Sequence, residues 1–241
     1  MARNAEQDAI AAKHEFLAQM IQELRRPMTE ILGFAQLLEH RHDDPEMEES
    51  LETIVSATRR VMNLMDASLE FSRAISGRLT LSLEPIRLSQ VINQALDLVQ
   101  PIAKKADIRL VDRSAECGMC FVMADGPCFI QVMIHILSNA IKFNRANGSV
   151  VVYCEVQSGA THRIMVRDTG RGIPTEEHGR IFEPYERLGE VTTEGSGLGL
   201  ATARTYMELM YGSLTLVESG PDGSVFCLEL PATEGFGGGP E

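Results

Sequence analysis

The chain has 241 residues, enough for one large domain or two small ones. Its 44% hydrophobic and 23% charged residues are ordinary globular values and exclude a mostly disordered chain. Acidic residues outnumber basic ones, 34 to 22, and the net charge of −12 argues against a nucleic-acid partner, whose phosphates need clustered Lys and Arg. No apolar run approaches the ~20 residues of a membrane span. Residues Met1 to Lys13 are polar and helix-like, unlike a secretory leader. The five cysteines are an odd number and fit reduced thiols in a cytoplasmic setting.

Two long helical patterns come first. Leu17, Ile21, Leu24, Met28, Ile31, Ala35 and Leu38 alternate at spacings of four and three, a heptad seam. After the polar break from His40 to Pro45, a second seam follows through Met47, Leu51, Ile54, Thr58, Val61, Met65, Ser68, Ser72 and Ile75. Two such helices joined by a short loop predict an antiparallel hairpin over residues 1–78. A lone hairpin buries too little surface, so it is expected either to pair with a second copy as a four-helix bundle or to pack on the rest of the chain.

The pattern changes at Ser76-Gly77. Strands are expected at Thr80–Leu83, Ile108–Asp112, Cys120–Ala124, Ser149–Val156, His162–Asp168, Ser213–Glu218 and Ser224–Leu230. Helices are expected at Leu88–Ala106, Gly126–Asn144 and Gly199–Tyr211. The run from Pro174 to Gly197 is long, polar and glycine-bearing, with one short helical stretch around Glu176–Phe182; a loop of this length is usually functional. Together these predict an α+β chain: an all-α hairpin, then a mixed α/β domain over 79–233, then a Gly-rich, disordered tail over 234–241.

Three segments of the second domain carry chemistry. In Ser138-Asn139-Ala140-Ile141-Lys142-Phe143, Asn139 offers an amide oxygen, a hard ligand suited to Mg²⁺, and Lys142 is a point charge for phosphate. In Asp168-Thr169-Gly170-Arg171-Gly172-Ile173, a carboxylate at a strand end can accept from an exocyclic amine, and the glycines admit a ligand close to the backbone. In Gly195-Ser196-Gly197-Leu198-Gly199-Leu200, a glycine turn opens a helix and aims backbone N–H groups at phosphate. Each segment alone is weak; the three in this order, with Ile181-Phe182-Glu183-Pro184-Tyr185-Glu186-Arg187 between the last two, are specific.

With these motifs the second domain resembles the catalytic ATP-binding domain of sensor histidine kinases, the GHKL or Bergerat fold, an α/β sandwich. The likeness extends to Gly212–Ser219 and Gly223–Phe226, similar to that domain's closing hairpin. It implies ATP and Mg²⁺ as cofactors, with Asn139 as the Mg²⁺ ligand and Asp168 as the adenine reader. Phe143, Gly170, Gly172 and Ile173 fall in the nucleotide pocket, Phe182 anchors a lid, and Gly195, Ser196, Gly197, Leu198 and Gly199 hold phosphates. Lys142 and Arg187 match positions near the phosphates. One departure stands out: the family's second Asn, four residues before Asn139, is His135 here. An imidazole there is read either as a partner of a metal-bound water, softer than Mg²⁺ favours, or as a semi-buried helix histidine.

The hairpin resembles the dimerisation and histidine-phosphotransfer domain of the same kinases, so the likeness runs from about Lys13 to Pro231. Aligning Ile21-Gln22-Glu23-Leu24-Arg25-Arg26-Pro27-Met28 with the family's Ser-His-Glu-Leu-Arg-Thr-Pro-Leu puts the phosphoacceptor at Gln22, on the outer face of the predicted helix. Glu23, the family's candidate base, remains. An imidazole nitrogen has an available lone pair; the amide nitrogen of Gln is delocalised into its carbonyl and is no nucleophile. Ile21 replaces Ser, and Arg26 replaces the residue that orients water for dephosphorylating the partner. The three departures point to a pseudokinase that binds Mg·ATP and signals through a response-regulator receiver domain or another histidine kinase. The polar N-terminal helix is expected to continue from an upstream sensor. Two alternatives stay open: an active kinase, with Gln22 engineered or with His14, His40 or His42 as acceptor, and a GHKL-type ATPase. Cys117-Gly118-Met119-Cys120 lacks the second pair or histidines of a zinc site.

Overall fold

The computed structural model describes residues 21, 24–36, 38, 45–76, 79–114, 118–156, 160–186 and 196–234. The chain divides into two units: Met1–Leu79 with Glu190–Leu198, and Thr80–Gly189 with Gly199–Glu241.

In the first unit, α1 covers residues 24–36 and α2 covers Pro45–Ile75. The helix runs through Pro27, and the Thr29 hydroxyl donates to the Arg25 carbonyl at 2.8 Å. The seam closes on one side only. Ala35, Leu51 and Val55 form a buried cluster, with Leu32 packed against it, and Thr58, Met65, Leu69 and Ala74 continue the buried stripe. Arg25 pairs with Asp66 across the two helices. The alternate members of the same heptads, Leu24, Ile31 and Leu38 on one strand of the seam and Met47, Ile54, Val61 and Ile75 on the other, stay 37–46% exposed.

The second unit is one mixed sheet with helices on one face. Its strands are β1 (Glu84–Arg87), β2 (Arg109–Asp112), β3 (Phe121–Ala124), β4 (Ser149–Val156), β5 (Thr161–Asp168), β6 (Ser213–Gly220) and β7 (Gly223–Thr233). The helices are α3 (Leu88–Lys105), α4 (Gly126–Lys142) and α5 (Gly199–Leu209). The order is β1-β3-β7-β5-β4-β2, with β6 off this path, paired with β7 opposite β5. Among the described strands only β2 and β4 run parallel.

Strand alternation assigns the faces. Ile164 and Val166 of β5 pair with Leu228 and Phe226 of β7 and with Cys154 and Val152 of β4, so these side chains share the helix-covered face. The core there is completed by Phe129, Met133, Ile136 and Leu137 of α4, Leu88 and Ile92 of α3, and Met207 and Met210. The opposite face carries a small apolar cluster of Met165, Val225, Cys227 and Tyr153, flanked by the Arg163–Glu229 and Arg167–Glu218 ion pairs at 2.9 and 3.3 Å.

Two expected elements are corrected. The first strand is not Thr80–Leu83 but Glu84–Arg87. The alternating leucines at 79, 81 and 83 imitate a strand, yet the Ser82 N–H donates to Asp125 Oδ2 at 2.9 Å rather than to a ladder. Pro85 is tolerated because β1 is an edge strand. The helical stretch at Glu176–Phe182 is instead a 3₁₀ turn at Thr175–Glu177 followed by turns. Most of its bonds close over three residues, His178 to Thr175 and Arg180 to Glu177, with one α-type bond from Ile181 to Glu177, and Gly179 disfavours extension. The remaining boundaries shift by at most three residues, and those of β4 not at all; the tail from 235 on lies outside the described residues.

Candidate functional site

Helix α4 is fixed at both ends. At its start Asp125 caps the helix, accepting from the Cys128 N–H at 3.0 Å, and Pro127 sits in the first turn. Its apolar face, Phe129, Val132, Met133, Ile136, Leu137, Ala140 and Ile141, is buried. That leaves His135, Asn139 and Lys142, at i, i+4 and i+7, as one stripe along the edge of the buried face. His135 and Asn139 are half-buried and Lys142 is exposed.

Just beyond the helix, Asn144 acts as a latch. Its amide donates to the carbonyls of Ala140 and Ser149 at 2.9 and 3.1 Å, and its oxygen accepts from the Thr169 hydroxyl at 3.0 Å. Thr169 Oγ1 in turn accepts from the Ser149 N–H at 2.8 Å. The end of α4 is thereby tied to the ends of β4 and β5. Nothing in the motifs singled out Asn144; its spacing of five from Asn139 puts it just past the helix end, where Asn commonly satisfies terminal backbone groups.

Asp168 continues the inward stripe of Ile164 and Val166, so a carboxylate stands where an apolar residue is expected. It is 8% exposed. Both of its bonds fall on Oδ1, from the Gly170 N–H at 2.7 Å and the Ser224 N–H at 3.2 Å. They fix the carboxylate plane and leave Oδ2 to accept from an amine. Burial pushes the carboxyl above the ordinary aspartate value, and the Gly170 and Ser224 bonds pull it back down. The Ser224 contribution was not foreseen in the sequence, because the two residues lie 56 apart and meet only through β7.

The glycines are required by space. A Cβ on Gly170 would lie 2.5 Å from the Phe143 carbonyl oxygen and 2.8 Å from Asp168 Oδ1. Gly172 has φ +71°, and its Cβ would meet the Gly220 carbonyl. Gly223, at φ +122°, presses against the Asp168 backbone in the same way. Ile173 is held by its N–H to Ser219 Oγ at 2.7 Å, and Ser219 and Ser224 share a hydroxyl bond of 2.8 Å. Phe143 is flanked by two cations, Lys142 Nζ at 4.8 Å and the Arg171 guanidinium at 5.2 Å from the ring centroid. Phe182 packs edge-on to Phe226 at 6.5 Å, with the Arg204 guanidinium over its ring.

The structure thus gathers His135, Asn139, Lys142, Phe143, Asp168, Gly170, Gly172 and Ile173 at the α4 end of the second unit. Gly199, the first residue of α5, joins them: a Cβ there would lie 3.2 Å from His135 Nδ1. Ser196, Gly197 and Leu198 group with the first unit. Gly197 has φ +71°, and the Leu198 N–H donates to Ser196 Oγ at 3.2 Å. Arg187 and Gly195 lie outside the described residues, as do Gln22 and Glu23 and the histidines at 14, 40 and 42. Among the described residues no group of three or more His, Cys, Asp or Glu side chains could hold a metal. Asn139 would offer a divalent cation one hard oxygen, of the kind Mg²⁺ favours.

Comparison with known families agrees with this geometry. Residues 12–77 match the His Kinase A (phospho-acceptor) domain, and residues 124–234 match the histidine kinase-, DNA gyrase B- and HSP90-like ATPase family. The chain carries the two domains of a sensor histidine kinase cytoplasmic core. Among relatives of this kinase core, the sensory/regulatory protein RpfC of Xanthomonas campestris is 31% identical over 97% of the chain and 33% of its own length. The autoinducer 2 sensor kinase/phosphatase LuxQ of Vibrio cholerae is 30% identical over 95% of the chain and 27% of its own length. The kinase core therefore spans about a third of the curated relatives it matches. Among solved structures, full-length ShkA in complex with AMPPNP superposes with a TM-score of 0.74 and 28% identity, over 91% of this chain and 46% of that one. Among the described residues no helix is long and apolar enough to cross a membrane.

Proposed function

We propose that this histidine-kinase core binds Mg·ATP in its α/β domain, residues 79–233, but cannot phosphorylate itself at position 22. It acts instead as a regulatory pseudokinase in a two-component pathway. The observation that carries this reading is Gln22 at the acceptor position, with Ile21 and Arg26 beside it, next to a nucleotide site with its main residues present.

Phosphoryl transfer breaks the bond between the γ-phosphorus and its bridging oxygen and forms a bond to a nucleophile in line with it. The protein's part is positioning and charge compensation. On this reading Asp168 Oδ2 accepts from the adenine amine, and Gly170 and Gly172 let the base lie against the backbone. Asn139 offers its amide oxygen to the divalent ion, and Lys142, Arg187 and the Gly195–Gly199 turn compensate phosphate charge. The missing element is the nucleophile: the nitrogen lone pair of the Gln22 amide is delocalised into its carbonyl and does not attack phosphorus.

The half-exposed heptad positions of α1 and α2 support a homodimer through the hairpin over residues 1–78. Seven large side chains, each worth on the order of 1 kcal/mol for the part still exposed, would be covered by a second copy. The expected partners are a response-regulator receiver domain or another histidine kinase, on the cytoplasmic side where ATP is supplied. The test is calorimetric titration with AMPPNP and Mg²⁺, alongside incubation with γ-labelled ATP. Binding without label on the native chain is the expected result. Label on the native chain, or no binding, contradicts the reading.

A further inference from the structure

We propose that His135 is a metal-selecting ligand, which tilts the nucleotide's divalent-cation site away from Mg²⁺ and toward borderline first-row cations such as Mn²⁺ and Co²⁺. The inference rests on the nucleotide-binding reading above and names the cation class of that same site.

Two observations carry it. First, His135 and Asn139 stand four residues apart on one stripe of α4, both half-buried at the edge of its apolar face. Side chains at i and i+4 have Cβ atoms about 5–6 Å apart, a spacing from which helical residue pairs grip a single metal ion. Second, the imidazole lies at the site itself. Its Nδ1 borders Gly199, the first residue of α5, where an added Cβ would come within 3.2 Å of it. A cation carried on a nucleotide takes much of its shell from phosphate and water, so the identity of each protein donor weighs heavily on selectivity.

The chemistry gives the direction. Two amide oxygens would make an all-oxygen set, which suits Mg²⁺. One amide oxygen and one imidazole nitrogen make a mixed set, for which affinity rises along the first row from Mn²⁺ to Co²⁺. Mg²⁺ gains little from the nitrogen and dehydrates reluctantly. His135 thus exchanges Mg²⁺ affinity for affinity toward the more polarisable ions.

The test is pulsed electron paramagnetic resonance on the native chain with Mn²⁺ and AMPPNP, using protein labelled with ¹⁵N-histidine. The expected result is echo modulation at the ¹⁵N frequency, absent from His135→Asn and His135→Gln. In parallel, calorimetry compares AMPPNP binding with Co²⁺ and with Mg²⁺. The ratio of the two affinities should fall in His135→Asn by at least the roughly tenfold cost of losing even an outer-shell metal partner. Mn²⁺·AMPPNP bound without histidine modulation, or a ratio unchanged in His135→Asn, overturns this inference alone. Failure of any metal–nucleotide to bind the native chain overturns the nucleotide-binding reading with it.

Discussion

The two units of this chain have met different fates at their chemical centres. In the α/β unit the Asp168 carboxylate is buried, bonded on one oxygen by Gly170 and Ser224, and surrounded by glycines that leave no room for a Cβ. In the helical unit the frame is kept, and the position proposed for the phosphoacceptor carries a Gln in the sequence. Arg25 still ties α1 to α2, and the heptads still divide into a buried and an exposed set, but position 22 holds an amide. The contrast teaches that a scaffold and its reaction are separable. The packing of a hairpin depends on its seam; an acceptor on the outer face can be lost without touching that seam.

The largest expected effect tests the hairpin alone. Ile54→Lys places a charge on the exposed half of the seam, twice in a symmetric pair. The half-exposed Ile54 is worth about 1 kcal/mol at the interface and the symmetric loss roughly double, to which burying two unpaired ammonium groups adds several kcal/mol. Sedimentation should show a shift from dimer to monomer, with AMPPNP affinity unchanged. A variant that still dimerises as the native chain does removes the exposed seam as the interface.

Asp168→Ala makes the opposite cut. Losing a charge-assisted hydrogen bond costs about 1.5–3 kcal/mol, so AMPPNP should bind roughly ten- to a hundredfold more weakly. Self-association should stay as it was. Equal binding by the variant would remove Asp168 from the nucleotide site.

Gly172→Ala is expected to cost about 1–3 kcal/mol of stability, because a positive φ and the Gly220 carbonyl both oppose a side chain. Thermal unfolding of the α/β unit should fall by several degrees while the helical transition holds. A Tm at the native value contradicts the tight packing described at that turn.

A smaller effect follows from the pH dependence of Asp168. Burial raises its folded pKa above the unfolded one. Its contribution to stability is therefore full below the ordinary aspartate value and is lost as the pH rises through the folded value. Glu229, lowered by Thr161 and then by Arg163, runs the other way; its contribution is present above the ordinary glutamate value and lost on acidification through the folded one. Urea unfolding of Asp168→Ala across this range should lack the decline seen in the native chain. The smallest effect is expected from Arg167→Gln, an exposed pair with Glu218, at under about 1 kcal/mol.

Much of this was legible in the sequence wherever one segment carries its own signal. Helical patterns marked α4 and α5, glycine spacing marked the turns at Gly170 and Gly172 and the start of α5 at Gly199, and a valine-rich, strand-like run marked β4 at its observed bounds. What escaped depended on partners distant in the chain. The Ser224 N–H reaches Asp168 because β7 starts beside the end of β5, and Asn144 meets Thr169 across 25 residues. The first strand was misplaced because three alternating leucines outweighed a proline that only an edge position permits. The division of the heptads into buried and exposed sets was equally hidden, since both sets are apolar and only packing separates them.

The central claim is that the nucleotide site is competent and only the acceptor is missing. The most direct test incubates the native chain and Gln22→His side by side with Mg²⁺ and ATP labelled at the γ-phosphate. The account predicts acid-labile label on Gln22→His and none on the native chain. Equal label on both would contradict it, and mapping the modified residue would then identify another acceptor.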